Sequence, residues 1–167
     1  MPQPRTNGQT KARKSAAAAR EMDAIELLKA DHREVEGWFD EFENTDSAPK
    51  KKKLAAQICK ALRVHTQIEE EIFYPACREA GVSEDMMDEA DVEHDNAKKL
   101  IAEIEQGEPG DDHWEARVSV LGEMIRHHVR EEEKRDGMFA TAKKSDLDLE
   151  ELGEELEARK TALMKQT

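Results

Sequence analysis

Residues 65–75 read HTQIEEEIFYP, and residues 127–133 read HHVREEE. In both segments a histidine precedes a glutamate by four positions, which gives the pairs His65–Glu69 and His128–Glu132. Side chains four positions apart lie on the same face of an α-helix. Both segments therefore predict a helix that presents an imidazole and a carboxylate side by side, where the two groups are placed to bind one metal ion.

Two further histidines extend this pattern into a repeat. His32 lies 33 residues before His65, and His94 lies 34 residues before His128. Counted from the intervening turns, the two histidines of each pair differ in height by about one helical turn, near 5–6 Å at about 1.5 Å per residue. The chain therefore reads as two similar helical hairpins whose four imidazoles converge on one layer.

Apolar residues recur at a three- and four-residue spacing along four predicted helices. The predicted helices cover residues 22–43, 48–80, 83–106 and 112–136, and a short extra helix covers residues 148–165. The predicted fold is therefore all-α. Short loops between long helices make neighbouring helices antiparallel. The predicted fold is an up-down antiparallel four-helix bundle with a short extra C-terminal helix.

Local signals mark the predicted helix ends. Ser47 is expected to cap the second helix, in which Pro75 predicts a kink. Asp112 and Glu115 have the spacing of a capping box and predict the start of the fourth helix. Gly137 is expected to end or bend that helix.

Each of the four histidines lies inside the apolar stripe of a different predicted helix. Burying an imidazole without a partner costs about 1–3 kcal/mol, so four in one small core need a shared compensation. A metal site provides it, because neutral imidazole is the commonest protein ligand for transition metals. The competing interpretation is a metal-free bundle in which the histidines are hydrogen-bonded core residues.

The charge of the chain is unevenly distributed. The formal net charge is −13, and residues 1–20 carry five of the 26 Lys and Arg and no acid, which leaves −18 for residues 21–167. A body this acidic repels phosphate, so we expect no nucleic-acid binding by the folded part. Residues 1–20 are polar and basic with little to bury, which predicts a disordered tail.

The sequence also bears on location and domain organisation. No apolar run approaches the roughly 20 residues of a membrane span, and residues 16–19 are too short for a signal-peptide core. Cys59 and Cys77 do not make a disulfide framework. We therefore expect a cytoplasmic protein without membrane contact. Its predicted parts are a basic tail at residues 1–20, the bundle at residues 21–140, and a C-terminal helix packing on the bundle at residues 141–167.

These features resemble the hemerythrin-like HHE cation-binding domains. The resemblance covers roughly residues 22–140 and rests on Asp31-His32, HTQIEEEIFYP at 65–75, Glu93-His94-Asp95 and HHVREEE at 127–133. It implies a four-helix bundle with a non-heme di-iron centre, in which two carboxylates bridge two iron ions. Carried onto the matching positions, the implied metal ligands are His32, His65, Glu69, His94, His128 and Glu132.

The sequence departs from the oxygen-carrying hemerythrins at two places. Lys98 stands where those proteins have a second histidine, one turn after the position of His94. The segment after Glu133 reads KRDGMF and lacks the aromatic–proline ending that follows Glu71. Both departures argue against reversible oxygen carriage and leave the metal site intact.

Other polar residues receive a more limited interpretation. Glu36, one turn after His32, and Tyr74 are candidates for completing the site. His127 is interpreted as an outer or surface residue, since it points about 100° away from His128. The remaining acids of the two segments, interpreted as a solvated face, are Glu70, Glu71, Glu131 and Glu133.

Three functions remain open from the sequence. The first is a di-iron protein that binds or senses a small ligand, such as oxygen or nitric oxide, or that handles iron. The second is a di-iron oxidoreductase that consumes peroxide or nitric oxide, which a proton-delivering group at the centre would favour. The third is a structural helical bundle without metal. The sequence identifies no protein partner, and its ligands suit iron, zinc and manganese alike.

Overall fold

The computed structural model describes residues 21–166, and the tail predicted for residues 1–20 lies outside them. Within the described range the chain is helical and contains no β-strand, which confirms the all-α prediction. The helices are α1 (Ala24–Glu43), α2 (Ala48–Ile68), α3 (Tyr74–Glu79), α4 (Glu84–Gln106), α5 (Trp114–Glu133), α6 (Met138–Lys144) and α7 (Leu149–Met164). A π-helical turn, Glu69–Phe73, joins α2 to α3. None of these described helices is both long and apolar enough to cross a membrane.

Four long helices form the bundle. α1 packs against α2 and α5, and α4 packs against the same two helices. Consecutive long helices are joined by short connections and therefore run antiparallel. The fold is the up-down four-helix bundle that the apolar stripes predicted.

A layer of histidines divides the apolar core into two clusters. One cluster includes Phe39 and Val35, and the other includes Leu28 and Phe139. Along α1, His32 falls between Leu28 of one cluster and Val35 of the other. Because both clusters exclude water, polar groups in the layer between them depend on one another for hydrogen bonds.

The second predicted helix, residues 48–80, contains a π-helical turn in front of Pro75 where a kink was expected. Proline has no N–H, and its ring crowds the carbonyl four positions earlier, so a regular α-helix does not continue through it. The backbone widens instead, and the Tyr74 N–H donates to the Glu69 carbonyl, five positions earlier. In an α-helix these residues would point roughly 140° apart. Here both are fully buried.

The fourth bundle helix begins later than its sequence signal indicated. The residue before α5 is His113, which has a left-handed backbone (φ 63°) and makes no side-chain capping hydrogen bond. The capping box predicted at Asp112 and Glu115 is therefore wrong. The reason is a tight turn in which the Trp114 N–H donates to the Asp111 carbonyl, so that the helix starts only after it.

The C-terminal helix α7 packs against α1, α2 and the π-helical turn. Gly153 permits this close approach, because a Cβ there would lie 2.5 Å from the Met22 carbonyl oxygen and 2.9 Å from the Ala24 nitrogen. Further along α7, Lys160 pairs with Asp31, the neighbour of His32. The C-terminal helix therefore makes an ion pair beside the histidine layer.

Candidate metal centre

Six side chains meet in the histidine layer, and they are the six that the resemblance implies as ligands. Each bundle helix contributes one imidazole, the π-helical turn contributes Glu69, and the end of α5 contributes Glu132. All six are at most 5% exposed. Their role as metal ligands stays a prediction, but the structure brings all of them together.

The imidazoles form two pairs that meet through their Nε2 atoms. In the first pair, His32 and His65, these atoms are 3.1 Å apart. In the second pair, His94 and His128, they are 3.2 Å apart. Two nitrogen lone pairs at this distance repel unless a proton or a cation lies between them. Each pair therefore offers two nitrogen donors directed at one point.

Two carboxylates, Glu69 and Glu132, connect the imidazole pairs. Each of them offers one oxygen to each pair. The oxygen–Nε2 distances are 3.2 Å for Glu69–His65, Glu69–His94 and Glu132–His128, and 3.4 Å for Glu132–His32. This arrangement would allow each carboxylate to bridge one cation at each pair.

Two carboxylate oxygens in this layer lack hydrogen bonds. Glu69 Oε1 and Glu132 Oε2, which both face the first pair, accept no hydrogen bond from any described residue. A buried charged oxygen without a partner is costly, by more than the roughly 1–3 kcal/mol of a neutral group. A cation between these oxygens and the Nε2 atoms would satisfy them, so the residues present fit a metal ion. Without a metal ion, only the neighbouring imidazoles, with their Nε2 atoms 3.2 and 3.4 Å away, offset the charge of these oxygens.

Tyr74 lies on the side of the second pair. Its hydroxyl donates to Glu132 Oε1 at 2.8 Å and lies 3.1 Å from Glu69 Oε2 and 3.2 Å from His94 Nε2. Its ring stacks on that of His94, with centroids 5.4 Å apart. Burial and the two carboxylates raise the pKa of Tyr74 well above its ordinary value. The phenol therefore stays protonated and acts as a hydrogen-bond donor at the centre.

The Nδ1 atom of every imidazole faces a further, outer carboxylate. The Nδ1–oxygen distances are 3.4 Å for His32–Glu133, 3.1 Å for His65–Asp31, 2.9 Å for His94–Glu70 and 2.5 Å for His128–Glu93. An Nδ1–H that donates outward fixes the tautomer and leaves the Nε2 lone pair directed inward. Metal-ligating histidines are usually held in this way.

Interpreting Glu70 and Glu133 as part of a solvated face was wrong. Each is partly buried and binds an imidazole from another helix, as the distances to His94 and His32 show. The local helical spacing contains no information about such partners. Lys98 pairs with Glu70 at 2.7 Å and so reaches the centre only through that carboxylate.

Asp31 and Glu93 were not identified as functional, although the sequence contains a signal for them. Each stands directly before a layer histidine, His32 or His94, yet each binds the histidine of the next helix of its own hairpin. Glu70 and Glu133 likewise stand directly after Glu69 and Glu132. Each hairpin therefore repeats the longer pattern acid-His…His-x-x-x-Glu-Glu.

The paired charges shift the pKa values of the buried groups. Burial lowers the pKa of His65, but Glu69 and Asp31 outweigh this effect and raise it to about 10. Burial raises the pKa of Glu69, but His65 and His94 outweigh it and hold that pKa well below its ordinary value. Protons and cations compete for the same Nε2 lone pairs, so metal binding would displace protons.

Two other candidate residues lie outside the layer. The side chain of His127 is 58% exposed, and its Nε2 lies 3.5 Å from Glu93 Oε1. Glu36 pairs with Arg33 at 2.5 Å on the surface of α1. The structure therefore brings Tyr74, and neither His127 nor Glu36, to the six predicted ligands.

A four-helix bundle that encloses two imidazole pairs and two shared carboxylates defines a helical metal-binding domain. Residues 23–140 match the hemerythrin HHE cation binding domain, and the chain belongs to that family.

Two known proteins are similar to this chain. The crystal structure of a hemerythrin HHE cation binding domain-containing protein from Mycobacterium kansasii, an Rv2633c homolog, superposes with a TM-score of 0.71 at 25% identity. The match covers 85% of this chain and 87% of that chain. A DNA nickase from Nostoc sp. (strain PCC 7120) is 28% identical over 116 residues. This match covers 68% of the chain but only 32% of the nickase, so the chain spans about a third of that relative.

Proposed function

We propose that the chain binds two iron ions, one at each imidazole pair, bridged by Glu69 and Glu132. The observation that carries the proposal is that each carboxylate directs one oxygen at each pair. Imidazole and carboxylate donors without thiolate suit iron, manganese or zinc. The resemblance to hemerythrins favours iron among these.

We propose further that the centre binds or senses a small ligand such as oxygen or nitric oxide. A cavity of 20 Å³ lies beside the four imidazoles, and its other lining side chains include Val35, Leu62 and Ile125. This volume holds about one water-sized molecule, so a diatomic molecule fits and a larger substrate does not. Bound iron would supply open coordination positions and one-electron chemistry. The chain holds the Nε2 atoms inward and buries all four imidazoles.

Elemental analysis after anaerobic reconstitution with Fe²⁺ tests the metal proposal. We expect two iron ions per chain in the wild type and in His127→Ala, and none in the double variant His65→Ala/His128→Ala. His127→Ala is the matched control, because it removes an imidazole next to His128 that lies outside the layer. A wild-type ratio near zero, or a double variant that retains the wild-type ratio, would contradict the proposal.

Ligand binding is tested separately by titrating the ferric protein with azide. We expect a saturable change in visible absorption that is absent from the double variant. Mixing the ferrous protein with oxygen should give rapid oxidation without a long-lived oxygenated species, since Lys98 stands where a further histidine would ligate. A stable adduct that releases oxygen under vacuum would instead support oxygen carriage.

A second candidate function is the consumption of peroxide or nitric oxide by the same centre. The observation in its favour is the Tyr74 hydroxyl, a buried proton-bearing group 2.8 Å from Glu132. The test compares hydrogen peroxide consumption by wild type and Tyr74→Phe at equal iron content. Many turnovers per centre that fall in the variant would favour an enzyme, and less than one turnover would favour ligand binding or sensing.

DNA cleavage is not carried over from the Nostoc relative. The similarity covers 32% of that protein. The net charge of −18 over residues 21–167 also opposes contact with a phosphate backbone. We therefore propose no nucleic-acid substrate for this chain.

A further inference from the structure

A pocket between the N-terminal half of α4 and the C-terminal end of α5 reaches from the protein surface to the histidine layer. It has a volume of about 260 Å³, and both His128 and Glu132 line it. Its five acidic lining residues, for which we call it the acidic pocket, are Asp85, Glu89, Glu93, Glu131 and Glu132. Two of the six predicted ligands therefore border a pocket with exposed acids at its mouth.

The acids of the pocket form a gradient of exposure. Asp85 and Glu89 are exposed. The Glu93 side chain is 30% exposed and contacts His128. Glu132, at the inner end, is 2% exposed. The lining carboxylates therefore range from exposed to almost completely buried beside the centre.

Among the described residues that line the pocket, one is a lysine and none is an arginine. This residue, Lys134, pairs with Glu131 at 2.5 Å. Their side chains are 45% and 42% exposed, so the pair lies in the open part of the pocket. The pocket therefore carries a net negative charge next to the centre.

Glu132 distinguishes this pocket from an ordinary acidic surface. It is almost completely buried, it lines the pocket, and its Oε2 accepts no hydrogen bond from the described residues. A buried carboxylate oxygen is normally satisfied by a donor or by a cation. Glu132 therefore connects the inner end of the pocket to an oxygen that faces the first imidazole pair, 3.4 Å from His32 Nε2, and that a cation would satisfy.

We propose that the acidic pocket is the route by which a hydrated divalent cation reaches the centre from solvent. The inference rests on the proposed function, because the route leads to the metal centre proposed there. A cleft lined by one sign of charge concentrates counter-ions and speeds their association. The cation passes the exposed acids at the mouth and exchanges its water for Glu93 and Glu132 at the inner end.

The volumes of the two spaces beside the centre assign them different ligands. One water needs about 10–15 Å³, so the 260 Å³ of the acidic pocket accommodates a cation with much of its water. The 20 Å³ cavity on the imidazole side holds about one water-sized molecule and excludes a hydrated ion. His128 lines both spaces, but the acidic pocket is otherwise bordered by Ala90 and Met138 of one core cluster and the small cavity by Val35 and Leu62 of the other.

The rate of Co²⁺ uptake by the metal-free, full-length protein tests this route, because the visible absorption of Co²⁺ reports its coordination. We expect Glu89→Gln/Glu131→Gln to slow uptake about tenfold at low ionic strength, with most of the difference lost at high salt. Lys134→Gln should accelerate uptake, since it removes the positive charge. The control Glu34→Gln/Glu123→Gln makes the same change in net charge at exposed acids outside the pocket and should leave the rate near that of the wild type.

The final amount of bound Co²⁺ separates this inference from the proposed function. We expect the same final ratio per chain in the wild type and all three variants, because none of them changes a predicted ligand. Equal rates for the pocket and control double variants, or slower uptake by Lys134→Gln, would overturn the route while leaving the centre intact. A wild type that binds no Co²⁺ and no Fe²⁺ would overturn the centre itself. If the pocket double variant fails to fold, the direction of the Lys134→Gln effect decides.

Discussion

Single residues make the two sides of the centre unequal. The oxygens of Glu69 and Glu132 that face the second imidazole pair are close to the Tyr74 hydroxyl, at 3.1 and 2.8 Å. The oxygens that face the first pair accept no hydrogen bond from the described residues. Two ions bound here would therefore differ in their surroundings, with the phenol beside only one of them.

Replacing Tyr74 by Phe removes this hydroxyl and keeps the ring. We expect the metal-free protein to lose about 2 kcal/mol of unfolding free energy, because hydrogen bonds to charged groups contribute roughly 1.5–3 kcal/mol. Urea denaturation of the metal-free protein measures this loss. The iron-loaded variant should retain its iron but show a changed visible spectrum. Unchanged stability together with an unchanged spectrum would show that the hydroxyl has no role at the centre.

Each of the two apolar clusters contains one cysteine, Cys59 in the cluster of Phe39 and Cys77 in the cluster of Leu28. Cys59 and Cys77 are 2% and 0% exposed, and burial raises the pKa of each thiol to about 12. We expect neither to react with a thiol reagent at pH 8 until the protein unfolds. Because the folded pKa lies above the ordinary value of 9, each thiol stabilises the fold below pH 9, and this contribution is lost as the pH rises toward 12. Rapid labelling of the folded protein at pH 8 would contradict this expectation.

At the scale of helices, the sequence predicted the bundle elements well and the π-helical turn not at all. Capping residues and apolar spacing are local, so they located both ends of α1 and α4 and the start of α2 within a few residues, while the predicted second helix ran on past the end of α2 at Ile68. Pro75 signals an interruption, but its form depends on tertiary packing. The π-helical turn buries Glu69, Phe73 and Tyr74 together. No local sequence signal before Pro75 indicates that these three side chains are buried together.

The packing of α7 on α1 depends on the absence of a side chain at Gly153. We expect Gly153→Ala to lower the unfolding free energy by about 1–3 kcal/mol, because its Cβ would overlap backbone atoms of the segment that begins α1. Gly37→Ala is the matched control. No atom lies within 4 Å of a Cβ at Gly37, which is exposed within α1, so this variant should gain about 0.5–1 kcal/mol. Chemical denaturation of both variants measures the difference in unfolding free energy. Equal stabilities would show that α7 can move away from the start of α1 at no cost.

Across the whole molecule, the outer carboxylates link the four bundle helices in a closed ring. Asp31 of α1 binds His65 of α2, and Glu93 of α4 binds His128 of α5. Glu70, just after α2, binds His94 of α4, and Glu133 of α5 binds His32 of α1. The sequence repeat contains all eight residues, but their pairing depends on how the helices are placed around the bundle. That placement is a property of tertiary packing, so spacing alone predicted the side chains that face inward and left the outer partners unrecognised.

Because the predicted ligands come from all four bundle helices, metal removal should destabilise the whole bundle. A ligand at 100 times its Kd stabilises the folded state by roughly 2.7 kcal/mol, and two ions would contribute about twice that. A domain of this size shifts by roughly 2–4 °C per kcal/mol, so we expect the melting temperature to fall by roughly 10–20 °C when the metal is removed. Thermal melts with and without chelation measure the shift. In His127→Ala the melting temperatures of the loaded and metal-free protein should differ as much as in the wild type. In His128→Ala this difference should be smaller, since the substitution removes a nitrogen donor from the second pair. Identical melting of the loaded and metal-free wild type would mean that the ions do not hold the four helices together.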